Sequence, residues 1–128
     1  MTDEQQIMAL LEDYVRLFDA GDADGCAKLF TEDCVIKRAG GFEIRGREAW
    51  RTAVLNRPGD GRGWHRLGAV EITVNGDSAN AVAKAEAEDR QGTRHLARYE
   101  DTYTRTPEGW RIADRLVVIE ESHPGAPR

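Results

Sequence analysis

Asp19 is the first residue whose position suggests chemistry. The segment YVRLFDAGDADG, residues 14 to 25, begins as a helix and ends in a turn, so that Asp19 falls in the last helical turn. The carboxyl end of a helix carries a partial negative charge, and a carboxylate is unfavourable there. Asp19 is therefore either an ordinary residue exposed to water or an acid whose partner is brought to it only by the fold.

His65 is the second candidate, and it lies in the segment WHRLGAVEITV, which is typical of a strand. Strict alternation would place His65 on the face of the charged Glu71 and not on that of the apolar Ile72. A β-bulge at Gly68 would reverse this, because one inserted residue changes the alternation. Both alternatives stay open: a histidine that faces a pocket and could exchange protons near neutral pH, or an ordinary strand histidine.

Tyr14, Asp101 and Arg115 are polar residues at positions predicted to be buried. Tyr14 belongs to the apolar stripe of the first helix, so its hydroxyl is either a catalytic donor or a hydrogen-bonded core group. Asp101 shares a strand face with Tyr99 and Tyr103, which favours either a perturbed site group or a structural acid. A buried Arg115 needs an anion, either Asp101, a neighbour of Arg38 or a substrate oxygen.

Helices precede strands in the predicted order of elements. Apolar residues three and four apart predict an amphipathic first helix, which Gly21 ends, and Asp22 is suited to be the N-cap of a short second helix. A strand at 31–38, a shorter strand and a third helix with Trp50 follow, and four more strands are predicted after residue 63. This order predicts an α+β fold. A curved, mostly antiparallel sheet would wrap around the long N-terminal helix and form a cone with an internal pocket.

A chain of 128 residues is long enough for one domain. We predict a single domain over residues 1–121 and a flexible tail over 122–128, because ESHPGAPR has no pattern. The segment PGDGRG, residues 58 to 63, is rich in breakers and predicts a loop. In one strand, alternate positions from Ala81 to Ala87 carry only methyl groups, which suggests unfilled volume inside the cone.

Composition and charge exclude several classes of function. The net charge of -5 argues against a nucleic-acid partner and against an anionic membrane surface. No apolar run approaches the ~20 residues that span a bilayer, and the acidic N-terminus is unlike a signal peptide, so we expect a cytoplasmic protein. Cys26 and Cys34 form no C-x-x-C pair, and His95 and His123 lack ligand spacing, so we predict no metal.

The order of four motifs resembles the SnoaL-like group of the nuclear transport factor 2-like superfamily. These motifs are FDAGDADG, LFTEDCVI, IRGREAW and RYEDTYTRTPEGWRIADR, and the resemblance covers about residues 5 to 121. It implies the α+β cone fold with a pocket inside. The superfamily includes ketosteroid isomerases, dehydratases, polyketide cyclases, dehydrochlorinases and non-catalytic subunits, so the fold indicates where the site lies and not which reaction it performs.

The resemblance also implies roles for particular residues. Tyr14 matches the tyrosine of the ketosteroid isomerases and Asp101 falls near their acid, but Arg38 occupies the position of their base. A guanidinium cannot accept a proton at neutral pH, so we do not expect the isomerase mechanism. Scytalone dehydratase, bile-acid 7α-dehydratase and lindane dehydrochlorinase have a histidine–aspartate dyad, and the resemblance to them implies that Asp19 pairs with His65.

Two hypotheses of function follow. The first is a small cofactor-free dehydratase, isomerase or cyclase for a mostly apolar, oxygenated small molecule. In this enzyme His65 abstracts a proton, Asp19 orients His65, and Tyr14 or Arg115 stabilises the oxyanion. The candidate substrate-binding residues are Asp101, Arg115, Tyr99, Tyr103, Trp50 and Arg38. The second hypothesis is a non-catalytic ligand-binding or assembly module with the same cone.

The predicted assembly is a homodimer, with a trimer as the alternative. Without a bulge at Gly68, a face that carries His65 inward would leave Val70, Ile72 and Val74 on the outside of the sheet. An exposed apolar patch of this kind is usually covered by a partner. The dimer prediction therefore depends on which face these residues take.

Overall fold

The computed structural model describes residues 1–57 and 63–125. The helices are α1 (Asp3–Asp19), α2 (Ala23–Lys28) and α3 (Arg47–Leu55). The strands are β1 (Phe30–Arg38), β2 (Glu43–Arg45), β3 (Trp64–Asn75), β4 (Ser78–Glu88), β5 (Arg94–Thr106) and β6 (Gly109–His123). This is the α+β arrangement that the order of elements predicts.

The bounds of α1 follow from its end residues. Thr2 caps the start: its hydroxyl accepts from the Gln5 amide at 3.1 Å, and the Gln5 side chain accepts from the Thr2 amide at 2.8 Å. At the other end Gly21 adopts a φ of 72°, a left-handed conformation that glycine takes without strain. Asp22 then begins α2 as its N-cap and accepts from the Gly25 amide at 2.8 Å. Asp19 is thereby fixed as the last residue of α1.

The six strands form one sheet that does not close into a barrel. The strand order is β2-β1-β6-β5-β4-β3, so β2 and β3 are its edges. Every neighbouring pair is antiparallel except β1 and β6, which run parallel. Helix α1 packs against the inner face, where it contacts β3 and β6, and α3 contacts β1. The sheet and these two helices enclose the core and a cavity beside it.

A β-bulge in β3 decides which side chains face inward. Leu67 pairs with Ala85 and Val70 pairs with Ala83, so three steps along β3 oppose two along β4. The extra residue lies at Gly68 and reverses the alternation, which is the alternative that turns His65 toward the inner face. Before the bulge, His65 and Leu67 are less exposed than Arg66 between them; after it, Val70, Ile72 and Val74 are less exposed than their neighbours. These three pack against the core from the inner face.

Because of the bulge, the apolar patch on which the dimer prediction depended does not form on the outer face of β3. With Val70, Ile72 and Val74 turned inward together with His65, the outer face of β3 carries no patch made of these residues. The homodimer, with the trimer as its alternative, stays a prediction without this support.

The alanine stripe of β4 is mostly core. Ala79, Ala81, Ala83 and Ala85 are at most 5% exposed and belong to the same buried cluster as Ile7 and Leu11 of α1. Bulky helix side chains fill the space that the alanines leave. Ala87 is the member of the stripe that lines the cavity.

The last strand ends two residues later than the sequence predicts, and two predicted segments lie partly outside the described residues. Strand β6 continues to His123, so Ser122 and His123 belong to the sheet and not to a tail. Residues 126–128 lie outside the described residues, as do residues 58–62 of the predicted PGDGRG loop.

Within the described residues, no helix has the length and apolar character needed to cross a membrane.

Candidate active site

A cavity of about 470 Å³ lies between the C-terminal half of α1, helix α3 and the inner face of the sheet. Its size is within the range of small-molecule sites, which run from about 300 to 1,000 Å³. The wall combines apolar side chains with a few polar groups that come from α1, from the segment after α3 and from several strands. These polar groups include Tyr14, Arg38, Arg57, His65, His95 and Tyr99.

Aromatic rings form one wall of the cavity. The rings of Phe18 and Trp50 are nearly parallel, with an interplanar angle of 3° and centroids 6.0 Å apart. Tyr14 continues this stack, at 20° to Trp50, and meets Tyr99 edge-on with centroids 6.0 Å apart. Parallel, apolar ring faces of this kind suit a ligand with a flat or cyclic carbon skeleton.

Asp19 and His65 meet at the edge of this wall. Asp19 Oδ1 lies 2.6 Å from His65 Nδ1, and Asp19 Oδ2 accepts from the His65 backbone amide at 2.8 Å. Both side chains are largely shielded from water, with 24% of the Asp19 side chain and 18% of the His65 side chain exposed. The helix end therefore holds an acid whose two oxygens are both occupied by one residue of β3.

This contact fixes the orientation of the imidazole. A carboxylate can only accept, so Nδ1 must carry the proton in the hydrogen bond, and Nε2 of the neutral ring is left with its lone pair. Phe18 supports the ring edge-on, with centroids 5.2 Å apart. The His65 side chain also lines the cavity. The arrangement thus presents a proton acceptor to the cavity in a defined tautomer.

Arg57 neutralises the end of α1 that carries Asp19. Its Nη1 donates to the Phe18 carbonyl oxygen at 2.9 Å, and its guanidinium carbon lies 4.0 Å from the centre of the Phe18 ring. A cation at the carboxyl end of a helix offsets the negative end of the dipole. Residue 57 follows α3, so this contact depends on how α3 packs and has no signal in local sequence patterns.

A second histidine–aspartate contact lies in the same cavity. His95 Nε2 is 3.1 Å from Asp89 Oδ2, and its Nδ1 is 2.8 Å from the Ser122 hydroxyl. Asp89 also accepts from the backbone amides of Gln91 and Thr93 and so shapes the turn between β4 and β5. Sequence reasoning missed this cluster. His95 has no recognisable partner spacing in the sequence, because its partners come from the turn after β4 and from β6.

Asp101, Arg115 and Tyr103 form a buried network under the cavity. Arg115 donates from Nε and Nη2 to the two oxygens of Asp101, each at 2.8 Å, and the Tyr103 hydroxyl donates to Asp101 Oδ2 at 2.8 Å. The side chains of Arg115 and Asp101 are 1% and 0% exposed. These three residues do not line the cavity. Their expected role in substrate binding is therefore corrected: Asp101 satisfies the charge of Arg115 within the core.

Burial and nearby charges keep Arg115, Tyr14 and Tyr99 protonated at neutral pH. Burial by itself lowers the pKa of Arg115, but the charge and hydrogen bonds of Asp101 outweigh it, so that the pKa lies well above its ordinary value. Burial raises the pKa of Tyr14 well above its usual range, and Tyr99 adds to this. Burial also raises the pKa of Tyr99. Both tyrosines on the cavity wall therefore keep their protons at neutral pH and can donate hydrogen bonds.

The other predicted site residues are distributed along the cavity. Tyr14, His65, Trp50, Tyr99 and Arg38 line it, and Asp19 lies behind His65. Among residues 1–57 and 63–125, no group of three or more histidine, cysteine, aspartate or glutamate side chains is arranged to hold a metal ion. Acid–base and hydrogen-bonding chemistry is what these side chains can supply.

A cleft of about 590 Å³ lies on the outer face of the sheet, around the bulge of β3. Three of its charged side chains are already paired: Lys84 Nζ lies 2.7 Å from Glu120, and Arg94 Nε lies 3.3 Å from Glu86. Paired, water-facing charges of this kind are typical of a solvated sheet surface. We therefore place the candidate site in the inner cavity.

Comparisons with known proteins agree with this architecture. A SnoaL-like domain model matches residues 1–116. An uncharacterized protein of Mycobacterium tuberculosis is 32% identical over 127 residues, which cover 91% of this chain and 84% of that protein. The crystal structure of an NTF2-like protein with a cystatin-like fold from Novosphingobium aromaticivorans is 28% identical, with a TM-score of 0.82 over 93% of this chain and 82% of that one.

The cone fold also occurs in an enzyme of known reaction. A hexachlorocyclohexane dehydrochlorinase superimposes with a TM-score of 0.85 over 98% of this chain and 93% of its own, at 17% identity. At this identity the likeness concerns the fold alone. From its domain match, its mycobacterial relative and its architecture, the chain belongs to the SnoaL-like family, within the NTF2-like cone fold.

Proposed function

We propose that the chain is a cofactor-free enzyme of the lyase or isomerase type, which acts on a mostly apolar, oxygenated small molecule. Its reaction would be a dehydration, an isomerisation or a cyclisation that begins with removal of a proton from carbon. His65 is the general base, and Asp19 is the group that orients it. The contact of both Asp19 oxygens with His65, at 2.6 and 2.8 Å, is the observation that carries the proposal.

In the proposed dehydration, His65 transfers one proton from a carbon atom to the departing oxygen. The lone pair of His65 Nε2 takes a proton from the carbon next to a carbonyl group, and the electrons of that C–H bond form the enolate. The enolate then expels a hydroxyl group from the neighbouring carbon, and the imidazolium returns its proton to the departing oxygen as water. Asp19 stabilises the imidazolium between these steps, because its negative charge lies against Nδ1–H.

The charge of the enolate needs a donor on the cavity wall. We assign this role to Tyr14, which lines the cavity and keeps its proton through burial. The guanidinium of Arg115 lies 4.1 Å from the centre of the Tyr14 ring and places a fixed positive charge beneath it. Donors held by packing stabilise a developing oxyanion without having to reorganise during the reaction. Arg115 itself is engaged with Asp101 and acts through this packing.

One observation favours a non-catalytic alternative. Asp19 accepts from the backbone amide of His65 as well as from its ring, so the same contact ties the end of α1 to the start of β3. A ligand-binding module could use this tie to hold its cavity open. The two functions differ in whether the free nitrogen of His65 does chemistry.

The experiment compares His65→Gln with the parent on a panel of cyclic β-hydroxy ketones, by following the absorbance of the enone product. General acid–base catalysis contributes about 10²- to 10⁴-fold, so we expect His65→Gln to lower turnover by at least about 100-fold. His123→Gln is the matched control, because His123 is an exposed histidine paired with Glu121 outside the cavity.

The control should keep the turnover of the parent. Turnover of His65→Gln equal to that of the parent would contradict the proposed role of His65. Binding of the ketones without any elimination by the parent would support the ligand-binding module instead.

A further inference from the structure

The charged side chains around the cavity differ in whether other groups of the protein already engage them. Among the described residues, four ionisable ones besides the two histidines and two tyrosines belong to its wall: Arg38, Arg57, Glu88 and Asp89. Glu88 has the strand parity of Lys84 and Glu86, which form ion pairs on the outer face of β4. Asp89 is occupied by His95 and by two turn amides. Arg57 is held by the carbonyl oxygen and the ring of Phe18. Among the described residues of the wall, Arg38 is therefore the charged group that is offered to a ligand, in a protein with a net charge of -5.

Arg38 stands on the wall opposite His65. Arg38 is the last residue of β1, and strands β6, β5 and β4 separate it from β3, which carries His65. Its position in the sheet is beside Val117, which in turn pairs with Tyr99, and both of these residues line the cavity. A ligand that reaches from His65 to Arg38 must cross the aromatic wall.

The guanidinium of Arg38 is available to such a ligand. The nearby Glu43 is held by Lys37 at 3.3 Å and by Arg45 at 3.0 Å, and within the described parts of the chain Arg38 forms no ion pair of its own. Phe42 lies next to it: the Arg38 amide donates to the Phe42 carbonyl oxygen at 2.9 Å, and Phe42 is 45% exposed although it is a large apolar residue. The rim thus combines an exposed aromatic ring with a cation that has no ion pair among the described residues.

We propose that the cavity takes a ring-bearing organic anion, such as an aromatic or alicyclic carboxylate, and that Arg38 binds its charged group. The inference depends on the proposed function only in taking this cavity as the substrate site. The ring skeleton lies against Trp50 and Phe18, and the carboxylate points away from His65. This separation suits proton abstraction, because a second negative charge beside the reacting carbon would oppose formation of the enolate.

The test measures the affinities of 2-naphthoate and of 2-naphthamide by isothermal titration calorimetry, at pH 8 and low salt. The two probes have the same rings and differ in the charge of one group. We expect the parent to bind the carboxylate about fivefold more tightly than the amide, as an exposed ion pair allows. Arg38→Gln should remove this preference and leave the affinity for the amide unchanged.

Lys37→Gln is the matched control, because it removes a positive charge from the neighbouring position, whose side chain pairs with Glu43. It should keep the preference of the parent, and so should His65→Gln, which separates this test from the test of catalysis. Three results would overturn the proposal: an amide that binds as tightly as the carboxylate, a preference that survives in Arg38→Gln, or no binding of either probe at millimolar concentration.

Discussion

Asp19 occupies a helix end that disfavours its charge, and its contacts explain how it is held there. The carboxylate of Asp19 contacts the backbone amide and the ring nitrogen of His65. The guanidinium of Arg57 donates to the Phe18 carbonyl oxygen at the same end of α1. Hydrogen bonds to charged groups contribute about 1.5–3 kcal/mol each, more than the 0.3–1 kcal/mol that a charge at a helix end typically involves. The local penalty is therefore smaller than the gain from the partner on β3.

Asp101 has the opposite character, since it serves the core and not the cavity. Breaking a buried ion pair by removing one partner costs about 3–5 kcal/mol, because the other charge stays buried without compensation. We expect Asp101→Asn to lower the free energy of unfolding by roughly this amount, measured by urea denaturation. Asp114→Asn, on the exposed side of β6, should change it by less than about 0.5 kcal/mol. Equal effects of the two substitutions would contradict the structural role of Asp101.

At the scale of elements, the bulge in β3 joins the fold to the site. Without it, His65 and the apolar residues after Gly68 could not share the inner face, because a shift of one residue moves every side chain to the other face. Gly68 indicates in the sequence that a bulge is one alternative. The sequence alone could not decide which face of the sheet His65 takes, since a regular strand and a bulged strand are both compatible with it.

The alanine stripe gives a prediction for β4. Ala87→Leu adds a side chain where the wall borders the cavity, so ligand binding should weaken while the free energy of unfolding changes by about 0.5 kcal/mol or less. Ala83→Leu adds the same atoms at a position with no exposure, and overpacking should cost about 1–3 kcal/mol. Calorimetric binding of 2-naphthamide and urea denaturation of both variants measure these effects. A larger loss of stability in Ala87→Leu than in Ala83→Leu would show that the cavity is misplaced.

At the scale of the whole molecule, elements were more predictable than the contacts between them. Local periodicity and caps indicate helices and strands, and so α1, its end at Gly21 and the N-cap of α2 follow from sequence. The sequence left the partner of Arg115 open between Asp101, a neighbour of Arg38 and a substrate oxygen, and the register that sets Asp101 opposite Arg115 decides it. The Asp89–His95–Ser122 cluster needs the turn, β5 and β6 together, so no local pattern reveals it.

Burial of tyrosines predicts how the stability of the whole domain depends on pH. The pKa values of Tyr14, Tyr99 and Tyr103 are raised by burial, so in the folded state these groups keep their protons where the unfolded chain loses them. Their contribution is complete below the ordinary value of 10.0 and is lost as the pH rises from there toward the folded values. The free energy of unfolding should therefore fall above about pH 10.

Tyr14→Phe isolates one of these groups. Each proton that only the folded state retains gives a slope of about 1.4 kcal/mol per pH unit, so the variant should lose stability less steeply than the parent by about that amount. Urea denaturation at several pH values between 9 and 11 would measure both slopes. Identical slopes would mean that Tyr14 is not buried as the structure has it.

The tautomer of His65 tests the central claim most directly. A long-range ¹H–¹⁵N spectrum at pH 8 distinguishes a protonated Nδ1 from a protonated Nε2 and assigns each histidine through its ring protons. The account predicts that neutral His65 carries its proton on Nδ1, with a strongly downfield Hδ1 signal from the bond to Asp19, and that this signal disappears in Asp19→Asn. A His65 protonated on Nε2, or a spectrum that Asp19→Asn leaves unchanged, would contradict the pairing and with it the proposed base.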